Sequence, residues 1–253
     1  WDTRLAMGHF AVGLPMALQF SITAIGCIVQ QTALNGLDAA LPGAVTAYTA
    51  ASKIDNIANQ VFVALGTALA TYAGQNYGAG EFGRIRRGVL AGMVYVFAGS
   101  VIGFAFAVGL CEPLMKLFLN TDLSADVAGN YGAIIGYGRQ FLLWQCSFYP
   151  FLGAIYVYRN TLQGIGRSAV TTFAGVTELA GRVLASLVFV RVWGFTGVCS
   201  SNPVAWVAAV IFLVATYAVV MRRRNNGELP RARSRAHRRR LRRSCRIAVR
   251  RAS

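Results

Sequence analysis

Acidic residues are scarce in this chain, nine in 253 against 25 basic ones. Charged residues of both signs make up 13% of it and hydrophobic residues 55%. A soluble domain of this length hides its core behind a charged surface, and so little charge does not supply one. Histidine is also scarce, with two residues, and the five cysteines, Cys27, Cys111, Cys146, Cys199 and Cys245, are scattered. None forms a CxxC pair and no His lies near one, so zinc-ligand spacing is absent and the cysteines read as small apolar packing residues. There is no nucleotide-binding glycine loop and no hydrolase elbow. Gly164-Ile165-Gly166 is too short for a dinucleotide loop, and no strand precedes it. Nothing here points to an enzyme or to a bound cofactor. The chain opens at Trp1 with no Met and no signal peptide, which suggests a fragment or a processed form with material missing at its start.

The positive charge is unevenly spread. Fourteen of the 25 basic residues, with one acid, lie after Met221. The first 221 residues hold eleven basic and eight acidic residues, a net charge of +3. The high isoelectric point is therefore a property of the tail. Residues 222–253 read as an Arg-rich cytoplasmic tail without apolar periodicity, expected to form no packed structure and to lie along lipid headgroups or stay disordered. The run from Arg231 to Arg251 has no Lys and no interleaved aromatics. It can attract polyanions without sequence specificity, but base stacking has nothing to use, so no nucleic-acid partner is expected.

What the sequence does have is six long apolar stretches, at about 10–34, 46–73, 89–111, 133–158, 170–190 and 203–221. Each is near or above the ~20 residues that cross a bilayer as a helix. The connections alternate in positive charge. Arg84, Arg86 and Arg87 follow the second stretch, Arg159 and Arg167 the fourth, and Arg222, Arg223 and Arg224 the sixth. The first connection has no basic residue, the third has Lys116 against Glu112, Asp122 and Asp126, and the fifth has Arg191. Positive residues stay on the cytoplasmic side. The chain is expected to be an all-α membrane protein whose residues 1–221 form six transmembrane helices, with both termini cytoplasmic.

Several residues are out of place in hydrocarbon. The first span contains Pro15 and ends in Gln30, Gln31, Thr32 and Asn35, which face protein or a water-filled cavity, or mark an interfacial helix end. In the second span, Tyr48, Thr49, Ser52, Asp55, Asn56, Asn59, Gln60 and Thr67 fall in one arc with Lys53 at its edge. Lipid would not tolerate so long a polar stripe, so it lines a cavity or glues helices together, with Lys53 and Asp55 neutralised through neighbours. The segment Gly74 to Gly88 reads as a structured cytoplasmic loop, with Gln75, Asn76 and Gly78 in a tight turn. The fourth span presents Phe141, Trp144, Phe148 and Phe151 at helical spacing, and Pro150 is expected to kink or break it. Such a face stacks with a flat cationic solute or packs against lipid and other helices. Arg139 and Gln140 are polar exceptions toward its outer half. The fifth span carries Glu178 and Arg182 at i, i+4, the spacing of a structural ion pair or, more sharply, of a proton-carrying Glu178.

Four motifs, in this order, resemble the C-terminal half of multidrug and toxin extrusion (MATE) transporters. They are Thr46 to Asp55, Gly74-Gln75-Asn76-Tyr77-Gly78-Ala79-Gly80 with Arg84-Ile85, Arg159 to Gly166, and Glu178-Leu179-Ala180-Gly181-Arg182. The resemblance spans about Pro15 to Met221. It implies one six-helix lobe of a twelve-helix protein in a bacterial-type plasma membrane, whose partner would be an N-terminal six-helix lobe. It further implies rocking antiport of cationic, amphipathic compounds against protons or sodium ions. The candidate cavity residues are then Gln30, Gln31, Asn35, Lys53, Asp55, Asn56, Asn59, Gln60, Arg139, Gln140 and Trp144, with Gln75, Asn76, Gly78, Glu178 and Arg182 as structural motif residues. The acids of one branch's ion site do not carry over, because no acid lies between Pro15 and Asn35 or between Ala133 and Tyr158. A lipid-linked saccharide flippase of the same superfamily is the alternative, although Lys53 and Arg139 alone are few cations for it. A membrane-tethered polyanion binder using the Arg tail is another.

The topology has a direct check. Single cysteines introduced at Arg86 and at Thr121, with the native cysteines replaced, should react with an impermeant thiol reagent from opposite faces of the membrane. Labelling of both from one face would overturn the six-span arrangement.

Overall fold

A computed structural model describes residues 3–37, 40–119 and 129–225. The Arg run after Asn225 and the acids Asp122 and Asp126 lie outside the described residues. Every regular element described is helical: α1 (Thr3–Asn35), α2 (Ala44–Ala79), α3 (Phe82–Gly109), α4 (Cys111–Phe118), α5 (Tyr131–Ser147), α6 (Tyr149–Gly164), α7 (Ser168–Trp193) and α8 (Phe195–Asn225). Five of them, α1, α2, α3, α7 and α8, are long and apolar enough to cross a membrane. The pair α5 and α6 passes the same test together, bent by 47°. Counting that pair as one broken span gives six.

The break has a local cause. Phe148 leaves the helical region between the two segments, and Pro150 sits in the first turn of α6. There its missing N–H costs nothing, whereas inside a continuous helix it would cancel a ladder bond and press its ring on the carbonyl four residues back. The expected break at Pro150 is thus where the sequence puts it.

The loop expected from Gly74 is not there. α2 runs on to Ala79, so Gln75, Asn76 and Gly78 are helical. Asn76 donates to its own helix, to the Tyr72 carbonyl at 2.8 Å, and leaves the backbone ladder intact. The stop comes at Gly80, whose φ of 79° is left-handed. The Glu81 N–H then reaches the Asn76 carbonyl at 2.8 Å, a glycine-terminated helix end. At 36 residues and a rise of 1.5 Å, α2 is about 54 Å long, well beyond the ~30 Å of hydrocarbon. It is thus longer than a perpendicular crossing needs. Arg84, Arg86 and Arg87 occupy the first turns of α3 and are exposed. Basic residues at a helix start oppose its dipole, a cost that anionic headgroups offset at a membrane surface.

α6 is the hub. It packs against α2, α3 and α8 and more lightly against α7, while α7 and α8 form a tight hairpin and α1 lies along α7. Tyr149, Ile155, Val157, Thr161 and Leu162 of α6 are buried. The outer face of α3 is the converse, with Leu90, Val94, Tyr95, Phe97 and Ile102 each about two-thirds exposed. Lipid is as apolar as these side chains, so burial alone does not hold the helices together, and close packing of small residues does. Ala44, Ala47, Ala50 and Ala51 line the buried side of α2. At Gly164, the last residue of α6, the Ala70 carbonyl of α2 occupies the space a Cβ would need. Gly136 of α5, in contrast, has nothing near it.

These two glycines make a paired test. Gly164→Ala should lower thermal stability in detergent by about 1–3 kcal/mol through overpacking. Gly136→Ala should be neutral or stabilise by up to ~1 kcal/mol through helix propensity. Melting followed by far-ultraviolet circular dichroism reads both.

Candidate functional site

α1 lies along α7 and touches α2 at only a few points, which leaves a cleft floored by α6. A cavity of about 290 Å³ occupies it. Its lining includes the apolar side chains of Met16, Phe20, Val63, Leu152 and Ile155. It also includes Gln19 and Thr23 of α1, Thr67 of α2, Tyr156, Arg159, Asn160 and Gln163 of α6, and Glu178 of α7.

The polar lining is organised by one carboxylate. Glu178 Oε2 accepts from Arg159 Nη2 at 2.8 Å, and Glu178 Oε1 accepts from Arg182 Nη2 at 3.1 Å. The Glu178–Arg182 pair is the i, i+4 pair expected from the sequence, and it is buried. Arg182 Nη1 goes on to the Thr23 carbonyl of α1 at 3.2 Å and lies 3.6 Å from Cys27 Sγ. This approach requires Gly26, because a Cβ there would meet Arg182 Nη1 at 2.9 Å. With its amide oxygen turned toward Arg159, Gln19 accepts from Nη1 and Nε at 3.2 Å each. Gln163 Nε2 donates to Thr171 Oγ1 at 3.2 Å. Two guanidinium groups thus share one carboxylate, so the cluster behind the cavity wall carries one excess positive charge.

Arg159 was missed as a partner of Glu178. It lies in the Arg159-to-Gly166 motif, which reads in sequence as the chain leaving the membrane. α6 instead continues to Gly164, and this keeps Arg159 one helix turn or more inside. The available signal was the stop itself, since the Gly164-Ile165-Gly166 pair places the helix end after Arg159 rather than before it.

The other candidates are dispersed. Gln30 is buried and donates to the Val198 carbonyl of α8 at 3.1 Å, and so ties two helices. Gln31 donates to Asn35 Oδ1 at 2.9 Å along its own helix. Gln140 donates to Thr196 Oγ1 at 2.8 Å, while Arg139 is exposed. Trp144 stacks on Phe148, with centroids 6.2 Å apart and planes within 7°. Phe141 is separated from that pair and packs edge-on against Tyr48 at 4.9 Å.

The α2 stripe splits as well. Thr67 lines the cavity, but Asp55, Asn56, Asn59 and Gln60 do not. Asn56 and Gln60 are exposed and Asn59 is half-buried. Lys53 and Asp55 do not neutralise one another, since residues two apart on a helix point about 200° apart. Lys53 Nζ sits 5.6 Å from the Phe118 ring centroid. Asp55 is buried and accepts from the Tyr149 hydroxyl at 3.0 Å.

A family model described as MatE matches residues 15–188. A curated relative from Bacillus subtilis (strain 168), "Probable multidrug resistance protein YpnP", is 28% identical over 158 residues. That alignment covers 62% of this chain and 32% of the relative, so the match spans about a third of the relative's length.

Removing the shared carboxylate should be costly. Glu178→Gln leaves two buried cations without a counter-charge, and a loss of about 3–5 kcal/mol is expected. The readout is a lowered melting temperature and reduced recovery from membranes. Glu178→Asp, which keeps the charge, should recover part of that loss.

Proposed function

The chain belongs to the MatE family, and from that premise we propose that it serves as one six-helix lobe of a secondary active multidrug efflux antiporter. It exports cationic or amphipathic compounds in exchange for protons or sodium ions. It sits in a bacterial-type plasma membrane with both termini cytoplasmic. The observation that carries the reading is the family match over residues 15–188, which runs from α1 through most of α7.

The cleft geometry supports it. A rocking transporter needs a cavity that opens on a second lobe, with polar groups held at membrane depth by protein rather than lipid. The second lobe is an N-terminal six-helix lobe, with a second copy of this chain as the other way to supply the same surface. The apolar lining of Met16, Phe20, Val63 and Leu152 suits the hydrocarbon part of an amphipathic compound. The excess positive charge at Arg159 and Arg182 directs the cationic group of such a compound away from that cluster, toward the mouth. Ion binding and drug binding then favour opposite-facing states.

The same arginines favour a second reading. A lipid-linked saccharide carries an anionic linkage, and two guanidiniums to one carboxylate match it better than they match a cation.

The test is transport. In an efflux-deficient bacterium, a full-length protein carrying this lobe should lower ethidium accumulation, and the effect should collapse when the proton and sodium gradients are removed. Unchanged accumulation at normal membrane expression would overturn the drug-antiport reading. Flipping of a fluorescent lipid-linked saccharide in proteoliposomes by that same protein would then establish the second. The lobe alone should give no protection, and protection by the isolated chain as a defined dimer would overturn the need for an N-terminal lobe.

A further inference from the structure

A second recess, a groove of about 520 Å³, lies between α2 and α3 and shares no lining residue with the cleft cavity. On α2 it is lined by Leu65 and Tyr72. At about 100° per residue these stand on the side of the helix opposite Val63 and Thr67 of the cleft. Small residues make room for it, Ala68 on α2 and Gly88, Ala91 and Gly92 on α3. Tyr95 is at 68% exposure, and Leu90 and Val94 next to it in the chain are as open, so the groove is on the face of α3 that meets hydrocarbon.

The charged residue of the lining is Arg87. It is exposed, and among the described residues neither it nor Arg84 or Arg86 forms an ion pair. Arg86 is not part of the groove, and its charge is felt by Tyr217 of α8 instead. Tyr72 is held beside the start of α3. Its hydroxyl donates to the Arg84 carbonyl at 3.2 Å, and Gly88 leaves the space its ring occupies, since a Cβ there would meet Tyr72 Cε1. From Arg87 to Tyr95 is eight residues, about 12 Å along α3. The groove therefore joins an uncompensated guanidinium at the membrane surface to an apolar channel that leads into the hydrocarbon.

That combination selects an occupant with an anionic head and a hydrocarbon chain. A free anion has no use for the apolar channel, and a zwitterionic lipid brings a second cation to Arg87. A phosphate diester matches the planar fork of an arginine better than it matches a point charge. We propose that the groove between α2 and α3 binds an anionic phospholipid, with its phosphate on Arg87 and one acyl chain along Ala68, Ala91 and Gly92 toward Tyr95. The lipid bridges the two helices at the edge where their small residues leave them incompletely packed. The site goes beyond the transport reading and stands whether the protein exports drugs or flips saccharides.

The test maps lipid to residue. The full chain is reconstituted in phosphatidylcholine vesicles that contain a small, equal fraction of phosphatidylglycerol or phosphatidylcholine bearing the same diazirine-tagged acyl chain. After irradiation, labelling of residues 88–95 is quantified by mass spectrometry against Leu184 and Leu187, which are exposed on α7. Phosphatidylglycerol should label the groove about fivefold more than phosphatidylcholine, the preference one arginine supplies at an anionic headgroup. Arg87→Ala should bring the ratio to about one, and Arg87→Lys should keep part of it. Ala91→Phe, which fills the groove from an exposed position, should lower the ratio with all three arginines in place. Arg86→Ala, and a chain cut after Asn226 to remove the Arg run, should leave it unchanged. Equal labelling by the two lipids would overturn the site, as would an excess that survives Arg87→Ala. An equal loss in Arg86→Ala would replace it with diffuse attraction to a basic surface. Loss of the excess on adding inorganic phosphate at constant ionic strength would assign Arg87 to a free anion and overturn the lipid.

Discussion

Glu178 accepts from two arginines, and through them it connects three helices. Arg159 comes from α6, Arg182 from α7, and Arg182 reaches the Thr23 carbonyl of α1. In a medium without water each of these charges is costly unless its neighbours replace hydration. Gln19 supplies the acceptor that Arg159 still lacks and Gly26 makes room for the Arg182 head group, while Arg182 Nε stays buried without a partner. α1 touches α2 at only a few points, so this network and the contact with α7 set where α1 stands. The cleft, and therefore the cavity, follows from that position.

The rest of the bundle obeys the same solvent. Apolar side chains gain little by leaving lipid, so the large ones point outward from α3 and the small ones face inward from α2. Three glutamines bridge helices: Gln30 to the Val198 carbonyl, Gln145 to the Cys199 carbonyl at 3.2 Å, and Gln140 to Thr196. Each would be unremarkable on a soluble surface. At membrane depth each fixes the register of two helices, because slipping either helix strands an amide.

Asp55 follows a different logic from Glu178. Both are buried acids on long membrane helices, and in sequence each looks like a lone acid with one cation nearby, Lys53 for the first and Arg182 for the second. The spacing separates them. Four residues put Arg182 over Glu178, whereas two residues put Lys53 on the other side of α2 from Asp55. One acid is locked into structure, and the other keeps its second oxygen uncommitted.

Read by itself, the amino-acid order determined the helical class, the six apolar stretches, the break at Pro150 and the Glu178–Arg182 pair. All of these depend on local spacing, whether a hydropathy window, an imino ring or an i, i+4 step. It misplaced the end of α2, because Gly74 and Gly78 read as stops when only Gly80, in a left-handed conformation, ends the helix. It did not reveal that Arg159 joins Glu178 from 19 residues away, that Tyr149 meets Asp55 across 94, or that Thr67 rather than Asn56 and Gln60 lines the cavity. Those facts depend on how helices rotate and cross. Packing at small residues such as Gly26 and Gly164 decides that rotation, and no periodicity along a single helix encodes which face its neighbour will take.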